Sequence, residues 1–225
     1  MKSSITLYAI ASLVLILAGC AKDNYKKPGA VLSGRVVYQG QPIGVRSNGV
    51  QLELWQHGYQ VYSKIPVYVA QDGTFSTSLF DGDYKLVQLK GNGPWVDKAD
   101  SIDISLRGAA SVDMPVIPYF TISNESFQKS GTNITASGKI TKVSSNTIER
   151  VSLYIGTTTI IDATNNAAVS NQTGTTLSDL SLPITFTLAL PASLSGRDYV
   201  YARIGVKTSG IGEMLYTQAQ KIVLK

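Results

Sequence analysis

The sequence predicts an all-β protein of two β-sandwich domains in tandem, and three observations carry that expectation. Short runs alternate apolar and polar residues with the two-residue period of half-buried strands, and no helical period competes with them. Gly, Asp and Pro interrupt the runs at short, regular intervals, the spacing of strands joined by tight turns. The chain has 225 residues, enough for two cores of about 100 residues each. Pro115 and Pro118 bracket Val116-Ile117, and the alternation restarts at Tyr119. Proline fixes φ and suits a short, stiff connection, so the domains are expected to meet there.

Ahead of both domains lies a different kind of segment. Lys2 opens a short basic region, and Ile5 to Ala18 is almost wholly apolar, the pattern of a secretory signal. The run falls short of the ~20 residues a spanning helix needs. It ends in Leu17-Ala18-Gly19-Cys20, and Cys20 is the only cysteine. A thiol there can carry a diacylglyceryl group, and two or more acyl chains hold a protein stably on a bilayer. The motif resembles the bacterial lipoprotein signal. Residues 1–19 are therefore expected to be removed, with Cys20 lipidated and residues 20–27 forming a polar tether to membrane lipid. Ala21 after the cysteine resembles sorting to the outer membrane, and Lys22-Asp23 resembles the charged tag of surface-exposed Bacteroidetes lipoproteins. With its one thiol committed to lipid, the chain can form no internal disulfide, so packing alone must hold both domains.

The first domain is expected over residues 28–116. Val31 to Tyr38 is its first strand, turned by Gln39-Gly40-Gln41-Pro42. From Gly49 to Trp55, Val50, Leu52 and Leu54 share one face, and Gln51, Glu53 and Trp55 share the other. Ile65 to Ala70, Thr74 to Ser76, Tyr84 to Leu89, Ser101 to Leu106 and Ser111 to Val116 complete the set, with turns at Asp72-Gly73 and Asp81-Gly82-Asp83. The second domain is expected over 117–225. Its strands are Ile134 to Ile140, Ile148 to Ile155 continuing through Thr157 to Ile161, Ile184 to Leu190, Tyr199 to Lys207, Leu215 to Ala219 and Lys221 to Leu224. Val200, Ala202, Ile204 and Val206 are expected inward, with Tyr199, Tyr201 and Arg203 outward. Asn165 to Ser178 is expected to be a long loop.

Gly34-Arg35-Val36, Gly40-Gln41-Pro42-Ile43, Asp72-Gly73-Thr74-Phe75 and Gly82-Asp83-Tyr84 together resemble the carboxypeptidase-regulatory-like, transthyretin-type sandwich. The second domain is similar to an immunoglobulin or fibronectin type III sandwich. Lys22-Asp23-Asn24-Tyr25, Leu52-Glu53-Leu54-Trp55, Gly58-Tyr59, Pro118-Tyr119 and Ala202-Arg203-Ile204-Gly205-Val206, in that order with the motifs above, resemble the Bacteroidetes lipoproteins grouped as domain of unknown function 3823. That resemblance implies an outer-membrane setting beside glycan-uptake proteins. It implies no chemical mechanism.

Composition narrows the chemistry. Formal charge is +5, yet the basic residues are scattered and Lys26-Lys27 is the one adjacent pair, without the basic stripe of a nucleic-acid binder. His57 is the sole histidine, so a zinc site of usual type is excluded, and no metal or cofactor is expected. Asp81 and Asp83 fit a hairpin turn better than a calcium loop. Glu53 and Asp97 could in principle act as paired carboxylates on a glycoside, but no motif singles them out, and no catalysis is expected. The sharper expectation is polysaccharide binding on exposed aromatics, with Trp55, Tyr59, Tyr62 and Trp95 as the platform. The competing expectation is a structural or adhesive surface protein with no carbohydrate ligand. Asp100-Ser101-Ile102 resembles the O-glycosylation site of exported Bacteroidetes proteins, with Ser101 as acceptor.

Overall fold

The computed structural model describes residues 26–58, 63–177 and 179–225. Cys20 and the whole signal segment lie outside the described residues, as do Tyr59 and Tyr62. Two sandwiches follow one another along the chain.

In the first, β1 (Ala30–Tyr38) is the centre of one sheet. β5 (Thr74–Leu79) and the two-residue β2 (Gln41–Pro42) run antiparallel to it, while β8 (Ala109–Pro115) runs parallel to it. The facing sheet has the order β4 (Lys64–Tyr68), β3 (Gln51–Gln56), β6 (Gly82–Gln88), β7 (Ser101–Leu106). The inward set of the alternating runs fills the space between them: Leu32, Val36, Leu52, Leu54, Leu86 and Leu106 are all 0% exposed. The turn before β5 is built by Asp72, whose Oδ1 accepts from the Thr74 amide (3.0 Å) and hydroxyl (2.7 Å). This is the local hydrogen bonding that makes Asp a turn residue.

The second sandwich has a three-stranded sheet, β9 (Phe120–Ser130), β10 (Asn133–Lys142) and β13 (Ile184–Ala189), in the order β13-β10-β9. Opposite lies a five-stranded sheet in which β14 (Tyr199–Thr208) pairs with β11 (Ile148–Gly156), β15 (Met214–Tyr216) and β16 (Gln220–Val223), and β11 pairs on with β12 (Ala168–Gln172). One helical turn, α1 (Ala192–Ser195), starts after Pro191.

Four sequence expectations are corrected here. β9 was not anticipated, because most of its side chains are exposed and a bulge interrupts its alternation. Residues Thr157 to Ile161 do not continue the sheet: β11 ends at Gly156, and Ile161 turns down to full burial against Tyr154, Met214 and Tyr216. Residues 165–178 are not one loop. They hold β12 and a short 3-10 turn, Gly174–Leu177. Finally, Arg203 does not face water and is 0% exposed.

The burial of Arg203 follows from what covers its sheet. The outer side of β14 at this point packs on the first domain. The Arg203 guanidinium donates to the carbonyls of Thr217 (3.0 Å) and Ile161 (3.0 Å) in its own domain. It also donates to the carbonyls of Val45 (3.3 Å) and Gln71 (3.3 Å), and to the Gln71 side-chain oxygen (3.3 Å), in the other domain. Its flat face lies 4.5 Å from the centre of the Tyr216 ring. Burial pulls its pKa down to about 10, against the opposing pull of Tyr216, Asp162 and Asp72. An unpaired buried cation is costly, and here convergent carbonyls and an aromatic face take the place of water. Around it, Gly44 forms a β-bridge with Tyr216. Arg46 makes a two-pronged pair with Glu213 (3.1 and 2.6 Å), and Gln71 donates to the Thr159 carbonyl (2.7 Å).

The joint should therefore behave as part of both cores. Arg203→Ala strands buried carbonyls on both sides and is expected to cost about 3–5 kcal/mol, several buried acceptors left unsatisfied at roughly 1–3 kcal/mol each. Calorimetry should show one unfolding transition for the native chain and two separate ones for the variant. Gly44→Ala should act in the same direction, since a Cβ there would stand 2.4 Å from the Tyr216 carbonyl oxygen.

Candidate ligand-binding groove

Of the four aromatics expected to form a platform, two can be placed. Trp55 lies on the outer face of β3, between Lys64 of β4 and Lys85 of β6 in register. It is partly covered, and its indole N–H donates to Glu53 Oε2 at 3.3 Å. Trp95 corrects the expectation outright. It is 1% exposed and belongs to the first core, with its backbone bridged to Pro118 at the domain boundary. The segment after β6 folds back and drops this side chain into the end of the sandwich, where an indole removes far more apolar surface from water than it could on display. Ser101 is exposed at the start of β7, so its hydroxyl is accessible.

The acidic candidates are engaged elsewhere. Glu53 also accepts from Lys64 (2.7 Å), and Asp97 accepts the Gly91 amide (2.9 Å). Asp81 accepts the Gly108 amide (2.7 Å), while Asp83 takes the Ser105 hydroxyl (2.6 Å) and Arg107 (3.3 Å). The Ser105 hydroxyl, with Arg107 beside it, holds the Asp83 carboxyl below its ordinary range. Among the described residues no group of three metal-ligating side chains converges.

An open groove of about 620 Å³ instead runs over the outer face of the first sheet. Strand alternation builds its floor. Residues 33 and 35 of β1 point away from the core, and the register sets their neighbours beside them. Ser33 is flanked by Ser76 and Ser111, giving a row of three hydroxyls across three strands. Arg35 is flanked by Thr74 and Asp113 in the next row. The guanidinium of Arg35 grips the Asp113 carboxylate through both prongs (3.1 and 2.6 Å), and this bond holds the carboxyl below its usual range. Beyond β5, Ser47, Asn48 and Tyr68 form the far wall. Tyr68 is 50% exposed. The groove thus combines an exposed aromatic ring, a line of small hydroxyls, an amide, and Arg35, fixed by its ion pair to Asp113.

Such a surface suits a ligand with apolar ring faces and many hydroxyls. The alternation in Val31-Leu32-Ser33-Gly34-Arg35 already put Ser33 and Arg35 outside. What the sequence lacked was the register that sets Ser76 and Ser111 beside Ser33. Nothing in the sequence marks Tyr68, because Ile65 to Ala70 carries no alternation that separates a displayed tyrosine from a packed one.

Comparison with known proteins gives a consistent picture. The family model for the N-terminal domain of a protein of unknown function, DUF3823, matches residues 30–117. The model for the domain of unknown function DUF3823_C matches residues 120–221. Among solved structures, a DUF3823 family protein from Bacteroides ovatus is 41% identical with a TM-score of 0.82, over 87% of this chain and 100% of that one. One from Parabacteroides merdae is 34% identical with a TM-score of 0.81, over 88% and 100%. A Bacteroides uniformis protein, provisionally described as a carbohydrate binding protein, shares the fold at 18% identity and a TM-score of 0.73, over 88% and 100%. No curated protein matches the chain.

The two tryptophans make the placement testable. In Trp55→Phe the remaining emission, from Trp95, should be blue-shifted and resist quenching by iodide. In Trp95→Phe the emission left from Trp55 should be quenched.

Proposed function

The chain belongs to the DUF3823 family, whose function is unknown, and from that premise we propose that it is a non-catalytic lipoprotein that captures polysaccharide at the outer face of the outer membrane. The observation that carries this reading is the groove on the first domain. Tyr68 offers a half-exposed ring on which a sugar can stack, and Ser33, Ser76, Ser111 and Thr74 offer hydroxyls in reach of a chain laid along the sheet. The Arg35–Asp113 pair fixes donors and acceptors beside them. A groove open along its length suits the interior of a polymer, because a chain can enter without threading an end.

Two further points support the reading. The apolar run ending in Leu17-Ala18-Gly19-Cys20 supports a lipid anchor at Cys20, with the polar tether after it holding the sandwiches off the bilayer. The carboxylates best suited to hydrolysis, Glu53 and Asp97, are each bound to other groups of the first domain, which supports capture rather than cleavage. Partner proteins of an uptake system are then the natural receivers of the captured chain. The structural or adhesive alternative gains no specific support. It calls for a broad apolar face, whereas exposed large apolar side chains such as Val31, Phe80, Ile160 and Leu182 are spread over both domains.

Affinity electrophoresis of the mature soluble chain, in gels cast with plant, host and microbial polysaccharides, tests the proposal. One glycan should retard the protein. Tyr68→Ala should weaken that retardation at least about tenfold, ~1.4 kcal/mol, with an unchanged circular dichroism spectrum. Trp55→Ala should change it by no more than about twofold. Absence of retardation across the panel, or retardation that survives Tyr68→Ala and is lost in Trp55→Ala, overturns the groove assignment.

A further inference from the structure

A second, smaller concavity lies where the two domains meet. It measures about 310 Å³, the lower end of the ~300–1,000 Å³ typical of small-molecule sites, which favour domain junctions. Its apolar lining comes from Pro42 and Ile43 of the first domain and from Ile122 and Leu215 of the second. Its polar side chains are the amides of Gln39 and Gln41 and the hydroxyls of Thr121 and Ser123, with the tyrosines Tyr38 and Tyr216 also in the lining. No carboxylate, amine or guanidinium lines it.

Two departures from regular strand geometry shape this site. Between β1 and β2, Gln39 (φ 51°) and Gly40 (φ 77°) both adopt left-handed backbone, the geometry of a tight two-residue hairpin. That turn sets Gln39 and Gln41 on either side of it, and the Gln39 amide donates to the Tyr38 hydroxyl (3.4 Å). On the opposite wall, β9 carries a bulge. The register slips between Ser137 and Lys139 of β10, and Asn124 on β9 has φ 51°. An extra residue bends a strand and re-aims its neighbours, and such bulges recur beside binding sites. Here the neighbours are Ile122 and Ser123. The floor cannot collapse to fill the space, because Gly44 and Tyr216 beneath it are pinned by their β-bridge and by the Arg203 cluster.

We propose that this junction cleft is a binding site for a single neutral pyranose ring, separate from the groove on the first sheet. The ring's apolar face would rest on Pro42 and Ile122, above the nearly buried Ile43 and Leu215, and its hydroxyl edge would meet the amides of Gln39 and Gln41 and the hydroxyls of Thr121 and Ser123. Neutrality follows from the lining. No charged side chain reaches the cleft surface, and Arg203 beneath the floor is fully buried with its donors taken by carbonyls, so a charged sugar would give up hydration without a counter-charge to contact, which is costly. The size admits one ring, in contrast to the open groove. The proposal stands whether or not the groove binds a polymer.

The test is a heteronuclear NMR titration of the mature chain with glucose, galactose, mannose and xylose, and with glucuronate as the charged control. At least one neutral sugar should shift the amides of residues 39–44, 121–123 and 215–216 saturably, with a Kd on the order of 1 mM. Glucuronate should bind at least about tenfold more weakly. Ser123→Trp, which places an indole in the cleft from an exposed rim position, should abolish the shifts. Gln41→Ala, a milder rim change, should weaken them several-fold in a fully folded protein. Tyr68→Ala should leave them intact, which separates this site from the groove. The proposal fails if none of the four neutral sugars gives saturable shifts at these amides. It also fails if the shifts persist in both cleft variants, or if glucuronate binds as well as the neutral sugars.

Discussion

The molecule depends on one guanidinium kept away from water and from any carboxylate partner. Arg203 is dry, charged at neutral pH, and satisfied by oxygens from four separate stretches of chain. Two of those stretches belong to the first domain and two to the second. Removing a cation from water is expensive, so the arrangement persists only while every acceptor is in place. That condition couples the domains more tightly than apolar contact would, because hydrogen bonds have direction and hydrophobic contact has none. The planar fork suits the task. A lysine ammonium could not spread its donors over carbonyls this far apart while stacking on Tyr216.

The same coupling explains where concave surfaces occur. Inside each sandwich the alternating residues pack closely. Concavity appears where regular structure is interrupted or left uncovered. The groove lies on an outer sheet face whose side chains are small, so the chain beyond β5 stands above it as a wall. The cleft lies where two sandwiches touch without interlocking completely, and a hairpin turn on one side and a bulge on the other hold it open. In both places the recognition groups are neutral hydroxyls and amides, with Arg35–Asp113 a pair that cancels its own charge.

Much of the fold was legible from residue period alone. The strands around Val31 to Tyr38, Gly49 to Trp55 and Ser101 to Leu106 have turn residues at both ends and one clean apolar face, so local pattern and tertiary burial agree. β9 escaped because it is wet along most of its length and broken by its bulge. Alternation places Arg203 on the outer face of β14, where it lies, but that face is covered by the first domain and not by solvent. Alternation tells which side of a sheet a residue occupies, and it says nothing of what lies over that side. Trp95 shows the same limit in a connecting segment, where no period exists to separate a displayed indole from a packed one. The groove was half legible. Ser33 and Arg35 were identifiable as outward, but their neighbours come from strands distant in sequence, and pairing of that kind leaves no local trace.

The parallel pairing of β1 with β8 also shapes how the chain reaches this state. The first and last strands of the domain lie side by side, and Arg35 meets Asp113 across 78 positions of sequence. No early hairpin can complete that sheet, because its central strand stays bare on one edge until the domain's final residues are present. The Arg203 contact with Val45 spans 158 positions and must close later still. Contacts so remote incur their loop-closure entropy before they return any stabilisation, which makes folding slow. Until β8 arrives, β1 remains an open template for a wrong strand. Assembly of this protein is therefore governed by arrival order: the domain secures its first strand last, and the joint between the domains closes only once both are built.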